Sequence, residues 1–205
     1  LPAAITGTTT ICVGGTTTLN DVSSGGTWTS GTPTVASIGT TSGLVTGVGG
    51  GSTVISYTLP TGCATGTTVS VNTVPATLTG TMSVCVGSTT ALGASPSGGT
   101  WSSSNTGIAT VGSTGMVSGV SAGTVTITYA LGSGCSTMTT VTVNPLPSAI
   151  SGVASACVGS TSTLTDVGGG TWTSSSPTVA SVDFSTGVVT GVHENTATIT
   201  YTLST

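Results

Sequence analysis

The chain has 205 residues, no Lys or Arg, four acidic residues and one His, which makes its formal net charge −4. This composition excludes nucleic acid as a partner, because binding to a phosphate backbone depends on Lys and Arg. Attraction to an anionic membrane surface is excluded for the same reason. The apolar runs are far shorter than the roughly 20 residues that a spanning helix needs, so we expect no membrane insertion.

Small and hydroxylated residues dominate the composition: 50 Thr, 31 Ser and 33 Gly make up more than half of the chain. Such a bias often accompanies disorder. Here, however, Val, Ile and Thr alternate and the mean hydropathy is +0.49, so we predict a folded β protein. With so little charge, copies of the chain hardly repel one another, and self-association is expected. The alternative is that sugars mask the hydroxyl groups. Those sugars would be O-linked, because the sequence has no Asn-x-Ser/Thr acceptor.

One phrase occurs three times, first as GGTWTSGTPTVASIGTTSGLVTG at positions 25–47, then with small changes at 98–119 and 169–191. We therefore predict three domains, at residues 1–75, 76–147 and 148–205, with the third lacking its last strand. Short alternating segments and turns every 8 to 12 residues are typical of an all-β sandwich.

Each repeat has one Trp and one Tyr at matching places, which we predict to be structural core residues: Trp28, Trp101, Trp172, Tyr57, Tyr129 and Tyr201. In the Tyr strand of the first repeat, Thr53, Ile55 and Tyr57 share one parity and should face the core. The alternative for the Trp side chains is an exposed platform on which a sugar could stack.

The five cysteines occupy two places in the repeat: Cys12, Cys85 and Cys157 at one, Cys63 and Cys135 at the other. Disulfides Cys12–Cys63 and Cys85–Cys135 treat both complete repeats alike, and a link between neighbours, Cys63–Cys85, is the alternative. Cys157 is predicted to be unpaired or bonded to another subunit. Disulfides indicate an oxidising compartment, so we expect an extracellular or cell-surface location.

Metal binding and catalysis both lack the necessary side chains. The sequence has no CxxC pair, and its one imidazole, His193, has no partner at zinc-site spacing. It also has no Lys, no Arg and no Asp-His-Ser set. We therefore expect no metal, no cofactor and no enzymatic activity.

The linkers VNTVPAT (71–77) and VNPLPSA (143–149) are short and contain Pro, which predicts neighbouring repeats placed end to end. Leu1-Pro2 matches Leu146-Pro147, so we expect that the chain is cut from something longer. The third repeat stops after its Tyr201 strand, without a counterpart of 62–75. Truncation of a longer chain explains this. The alternative is a strand supplied by a neighbouring subunit, with Cys157 then available for a bond between subunits.

The stretch TWSSSNTGIATVGSTGMVSGVSAGTVTITY at 100–129 resembles the bacterial Ig-like domain group 2 motif of intimin and invasin, and it recurs at 27–57 and 171–201. With CVGGTTTL and CVGSTTAL upstream, the resemblance covers nearly the whole chain. It implies tandem immunoglobulin-like sandwiches, typical of adhesin stalks, and is similar to arrays in very large secreted proteins of Bacteroidota. The family brings no catalytic residues.

Together these features predict a structural component of an extracellular fibre or adhesin stalk, whose partners are copies of itself or adjacent repeats of a longer chain. The alternative is a carbohydrate- or surface-binding adhesin module, for which surface glycans would be partners. In that case Asp183-Phe184 and His193-Glu194 are the candidate contact residues. Ice binding by rows of Thr is a third interpretation.

Overall fold

The computed structural model describes residues 1–203. This part of the chain forms 21 β-strands and no helix. The strands of the first repeat are β1 (Thr10–Cys12), β2 (Thr16–Thr18), β3 (Thr27–Ser30), β4 (Ala36–Ile38), β5 (Leu44–Gly47), β6 (Gly51–Thr58) and β7 (Ala64–Asn72).

The second repeat has the same order with one further strand at its start, and the third has no counterpart of β1 or β7 within residues 1–203. The second contains β8 (Thr79–Gly80), β9 (Ser83–Cys85), β10 (Thr89–Gly93), β11 (Thr100–Ser103), β12 (Ala109–Val111), β13 (Met116–Gly119), β14 (Gly123–Ala130) and β15 (Ser136–Asn144). The third contains β16 (Ser151–Gly152), β17 (Thr161–Thr165), β18 (Thr171–Ser174), β19 (Ala180–Val182), β20 (Val188–Gly191) and β21 (Ile199–Thr202). Because residues 1–203 form only strands and loops, they contain no helix that is long and apolar enough to cross a membrane.

Each complete repeat is a sandwich of two sheets. In the first, one sheet has the order β1-β7-β6-β3 and the other β2-β5-β4. In the second, the orders are β9-β15-β14-β11 and β8-β10-β13-β12. Each of these repeats has one parallel pair, β1 with β7 and β9 with β15, and the other pairs are antiparallel. The predicted all-β chain of tandem sandwiches is confirmed.

Every sandwich has two ends that carry different loops. We call the end that holds the β6–β7 loop and the Gly-Gly loop before Trp28 the upper end. The opposite end, where Cys12 lies beside Asn72, is the lower end. Strand β7 is nine residues long. At about 3.3 Å per residue it separates the two ends by about 25 Å.

An aromatic pair fills the upper half of each sandwich. Trp28 and Tyr57 lie directly opposite on β3 and β6, and their ring centroids are 4.7 Å apart and tilted by 47°. The same pairing occurs at Trp101–Tyr129 and Trp172–Tyr201. Trp28 and Trp172 are each only 4% exposed, which leaves no open face for a sugar to stack on, and Trp101 is half-buried.

The Tyr hydroxyl ties the Gly-Gly loop to the sheet. In the second repeat the Gly99 N–H donates to the Tyr129 Oη at 2.7 Å, and that hydroxyl donates to the Pro96 carbonyl at 2.9 Å. The first repeat uses Gly26, Tyr57 and Ser23 in the same way. A side chain at Gly26 would meet the Tyr57 ring, since an added Cβ would lie 2.5 Å from Cζ. The repeated Gly-Gly-Thr-Trp phrase therefore encodes a glycine that fits beneath the tyrosine ring.

The alternation predicted for the Tyr strand is confirmed. Thr53, Ile55 and Tyr57 are 4%, 0% and 6% exposed, whereas Val54 on the other face is 50% exposed. The lower half of the core is formed by β7 with Val69 and Val71, which are 0% and 3% exposed. The third repeat lacks such a strand within residues 1–203, so β21 pairs with β18 alone.

We expect Tyr129→Phe to destabilise the second repeat by about 1–2 kcal/mol, because the Gly99 N–H and the Pro96 carbonyl lose their partner in a partly buried loop. Hydrogen exchange of β11 and β14, followed by mass spectrometry, measures the change. The matched control is Tyr201→Phe, whose hydroxyl accepts one hydrogen bond, from Gly170, in the described part of the chain. An equal loss in both variants would contradict the two-bond role of Tyr129.

Candidate functional site at the junction between repeats

A disulfide joins the first two repeats. It links Cys12, at the lower end of the first sandwich, to Cys135, at the upper end of the second, with their Cα atoms 5.8 Å apart. Cys12 ends β1, and Cys135 directly precedes β15. The Cys135 sulfur also lies 3.8 Å from the carbonyl oxygen of Asn72, the last residue of β7. The bond therefore clamps one repeat onto the next.

The predicted pairings within repeats are wrong. Cys12 is level with Asn72 at the lower end of β7, whereas Cys63 directly precedes the upper end of the same strand. The two are separated by the whole strand, about 25 Å, while a disulfide needs Cα atoms within about 7 Å. The same strand length separates Cys85 from Cys135, because Cys85 is level with Asn144 at the far end of β15.

The alternative link between Cys63 and Cys85 is also not formed. Cys63 lies at the upper end of the first repeat and Cys85 at the lower end of the second, so two full repeats stand between them. Within residues 1–203, Cys63, Cys85 and Cys157 are unpaired. Cys63 and Cys85 are half-buried, and Cys157 is exposed.

The linker beside the disulfide is seated against the protein. Pro75 is buried, Leu78 is 7% exposed, and the Ala76 N–H donates to the Ser95 carbonyl at 2.8 Å. By contrast, every residue of the second linker from 145 to 150 is exposed. The junction with the disulfide is thus the one in which the connecting segment also packs.

The third repeat has an open groove at the place that β7 and β15 occupy in the other two. The groove has a volume of about 550 Å³ and is lined by residues that include Ala154, Ala156, Ala197 and Ile199. Ala156 is exposed, whereas its counterparts Ile11 and Val84, which pair with the last strand of their repeats, are 9% and 7% exposed. The groove is therefore the uncovered half of a sandwich core.

The charged residues of the third repeat lie on exposed turns. Asp183 accepts hydrogen bonds from the hydroxyl and N–H groups of Thr186 and Ser185, which lower the pKa of its carboxyl group from 3.8 to about 2. These bonds hold the turn above that pH and weaken as the carboxylate is protonated below it. His193 and Glu194 are exposed, and Phe184 is 64% exposed.

Of the residues predicted from the sequence, the structure brings together the Trp–Tyr pairs and one cysteine pair that had not been predicted. The sequence contained one part of the signal, because the segment between Cys63 and Asn72 is long enough to cross the sandwich as a strand. It did not show at which end of that strand Cys12 lies. In residues 1–203 no group of three or more His, Cys, Asp or Glu side chains is placed to hold a metal ion.

The sequence matches the model of the bacterial Ig-like domain (group 2) family at residues 63–143 and 137–205. These two stretches include more than half of the chain, so the chain belongs to this family, and the predicted resemblance is confirmed. No curated protein sequence matches it significantly.

Several solved structures are similar to this chain. A C-terminal 282-residue fragment of intimin, in complex with the intimin-binding domain of the translocated intimin receptor, is 21% identical, with 78% of this chain and 69% of that chain covered and a TM-score of 0.48. Domains 4 and 5 of the S-layer protein SbsC are 19% identical, with 71% and 98% covered and a TM-score of 0.32. Drosophila N-cadherin EC1-4 is 11% identical, with 89% and 63% covered and a TM-score of 0.33.

Removing the clamp should loosen the junction without unfolding the sandwiches. We expect Cys12→Ser to keep the far-UV circular dichroism of the native chain, because the bond lies outside both cores. The free energy of unfolding of the first two repeats should fall by up to about 5 kcal/mol, the chain-entropy estimate for a separation of 123 residues. Urea titration measures the loss. Cys85→Ser is the matched control and should leave the titration unchanged, so an equal effect of both variants would contradict the assignment.

The groove of the third repeat should bind a strand with the pattern of β15. We expect a peptide of sequence STMTTVTVN, residues 136–144, to protect β21 from hydrogen exchange. The peptide supplies the backbone hydrogen-bond partners that the free edge of β21 lacks, together with the core-facing side chains of Val141 and Val143. At a hundredfold excess over its Kd, the gain in stability is about 2.7 kcal/mol. The control peptide carries Val141→Asp and Val143→Asp. Equal protection by both peptides would show that the groove does not select the apolar face.

Proposed function

We propose that this chain is a structural segment of an extracellular fibre or adhesin stalk, in which the repeats act as spacers and carry no catalytic function. The observation that carries the proposal is the Cys12–Cys135 bond, which spans the junction between two repeats and not the core of either. A bond at that place resists bending and separation of neighbours. Mechanical continuity along an array requires this property.

The same bond supports an extracellular location for the chain. Disulfides persist in oxidising environments such as the cell exterior and are rare in the cytosol.

The near absence of charge supports the spacer role. The four acidic residues are spread over two repeats and offer no strong field for recruiting a charged ligand. The recurring Trp and Tyr side chains pack against each other between the sheets, so they are not presented as a surface for a ligand.

The dimensions of the chain in solution test the proposal. Three sandwiches in a row, each about 35–45 Å long, form a rod with a radius of gyration of roughly 30–40 Å. A compact protein of 205 residues would have a radius of gyration of about 17 Å, and an unfolded chain about 50 Å. We expect small-angle X-ray scattering of the oxidised monomer to give the rod value. A radius near 17 Å would overturn the spacer role.

A carbohydrate- or surface-binding module is the second candidate, and one observation favours it. Phe184 is 64% exposed and adjoins the exposed carboxylate of Asp183, a pairing that can stack on a sugar ring and accept its hydroxyl groups. Retention of the chain on a glycan array, lost in Phe184→Ala but kept in Val167→Ala, would support this candidate. Val167 is a suitable control because it is also well exposed, at 73%.

A further inference from the structure

The Cys12–Cys135 bond defines two half-sites that recur in the repeat. The first half-site is the cysteine at the lower end. Its carbonyl oxygen accepts a hydrogen bond that closes a tight turn, from Gly15 to Cys12, from Ser88 to Cys85 and from Ser160 to Cys157, at 2.9 to 3.0 Å. The residue two positions after the cysteine is anchored as well. The Gly14 N–H donates to the Gly47 carbonyl, and the Gly159 N–H donates to the Gly191 carbonyl, both at 2.9 Å. The turn that follows Cys157 is therefore the same as the turn that follows Cys12, although the pairing of β1 with β7 has no counterpart beside Cys157 in residues 1–203.

The second half-site is the cysteine at the upper end. The Leu131 N–H donates to the carbonyl oxygen of Cys135, and the Gly134 N–H donates to that of Leu131, both at 2.9 Å. In the first repeat, Leu59, Gly62 and Cys63 form the same two bonds at the same 2.9 Å. The difference is coverage: Cys135 is 1% exposed beneath the neighbouring repeat, whereas Cys63 is only half-buried.

We propose that copies of this chain join head to tail, with the lower end of the third repeat against the upper end of the first, and that Cys157 of one copy forms a disulfide with Cys63 of the next. The inference rests on the proposed role as a structural array and adds the covalent joint between its members. Both halves of a bond that is already made once within the chain thus stand unpaired in residues 1–203, one in the first repeat and one in the third. Cys85 takes no part, because it lies at the lower end of the second repeat, from which the linker 145–150 leads directly into the third repeat of the same chain.

The two ends can approach each other because little charge opposes contact. Asp21 lies in the loop before Trp28 at the upper end, where the second repeat has Ala94, and Glu194 lies in the lower-end turn of the third repeat. These two carboxylates weakly repel across the proposed joint, and 0.15 M salt screens charges beyond about 8 Å.

The bond forms by thiol–disulfide exchange with a small disulfide oxidant such as oxidised glutathione. The Cys157 thiolate attacks the oxidant and releases one thiolate, which leaves a mixed disulfide. The Cys63 thiolate of the second copy then attacks the protein sulfur of that mixed disulfide and releases the second thiolate. The two protein thiols lose two protons and two electrons in total, and the oxidant takes up both electrons to become two thiols.

Complementation between two single variants tests the joint. Incubated in a glutathione redox buffer with 0.15 M salt, the native chain should form a concentration-dependent ladder of multimers on a non-reducing gel, and peptide mapping should find Cys63 joined to Cys157. Cys63→Ser and Cys157→Ser should each lower the amount of disulfide-linked multimer by at least tenfold. Mixed together, they should form dimers that stop at two chains, because one variant supplies Cys157 and the other supplies Cys63.

The control variant is Cys85→Ser, which should keep the whole ladder. Three outcomes would overturn the proposal: absence of the dimer in the mixture, a ladder that persists in Cys157→Ser, or peptides dominated by Cys63–Cys63 and Cys157–Cys157 links. Scattering from the oxidised Cys63→Ser monomer, which keeps the Cys12–Cys135 bond, separates this failure from failure of the spacer role. A rod-like monomer without a ladder refutes the joint alone, and a compact monomer refutes the array itself.

Discussion

The last strand of the repeat governs how the cysteines can be used. Strand β7 crosses the whole sandwich, pairs with β6 along its length and holds β1 in parallel at its lower end. One cysteine position lies just before this strand and the other lies level with its final residue, so a single repeat can never close a bond between them. The same geometry brings the two positions together wherever the lower end of one repeat meets the upper end of another. The length of this strand therefore explains both why the two cysteines of one repeat are too far apart to bond and why cysteines of neighbouring repeats can bond.

A chain with almost no charge must obtain its specificity from packing and hydrogen bonding. Within each repeat the Trp–Tyr pair fills the space between the sheets, and in the two complete repeats the Tyr hydroxyl both accepts and donates in the adjoining loop. Gly43 illustrates how closely the backbone approaches this pair. It has φ of +66°, and an added Cβ would lie 2.2 Å from the Leu19 carbonyl oxygen and 3.3 Å from the Trp28 ring. Such contacts involve no charged groups, so they depend little on salt.

The third repeat shows what the last strand contributes to the core. Its Trp172 and Tyr201 remain buried at 4% and 9%, because their pairing needs only β18 and β21. Val189 is 8% exposed, whereas its counterparts Val45 and Val117 are both 0% exposed beneath a complete sandwich. The Trp–Tyr pair of the upper half thus forms from β18 and β21 without a last strand, whereas the lower half depends on a strand that follows the Tyr strand. This division explains why the groove lies where it does.

The sequence by itself determined the repeat, the all-β class, the faces of the Tyr strand and the family, because each depends on local period or on residues near one another in the chain. Ile55 and Val54 could be assigned to opposite faces from alternation alone. Only the tertiary structure decided the disulfide. Equivalence between repeats favoured Cys12 with Cys63, yet it contains no information on which end of a sandwich each cysteine occupies. That information arises from the parallel pairing of β1 with β7 and from the stacking of one repeat on the next, which are long-range contacts that no local pattern encodes.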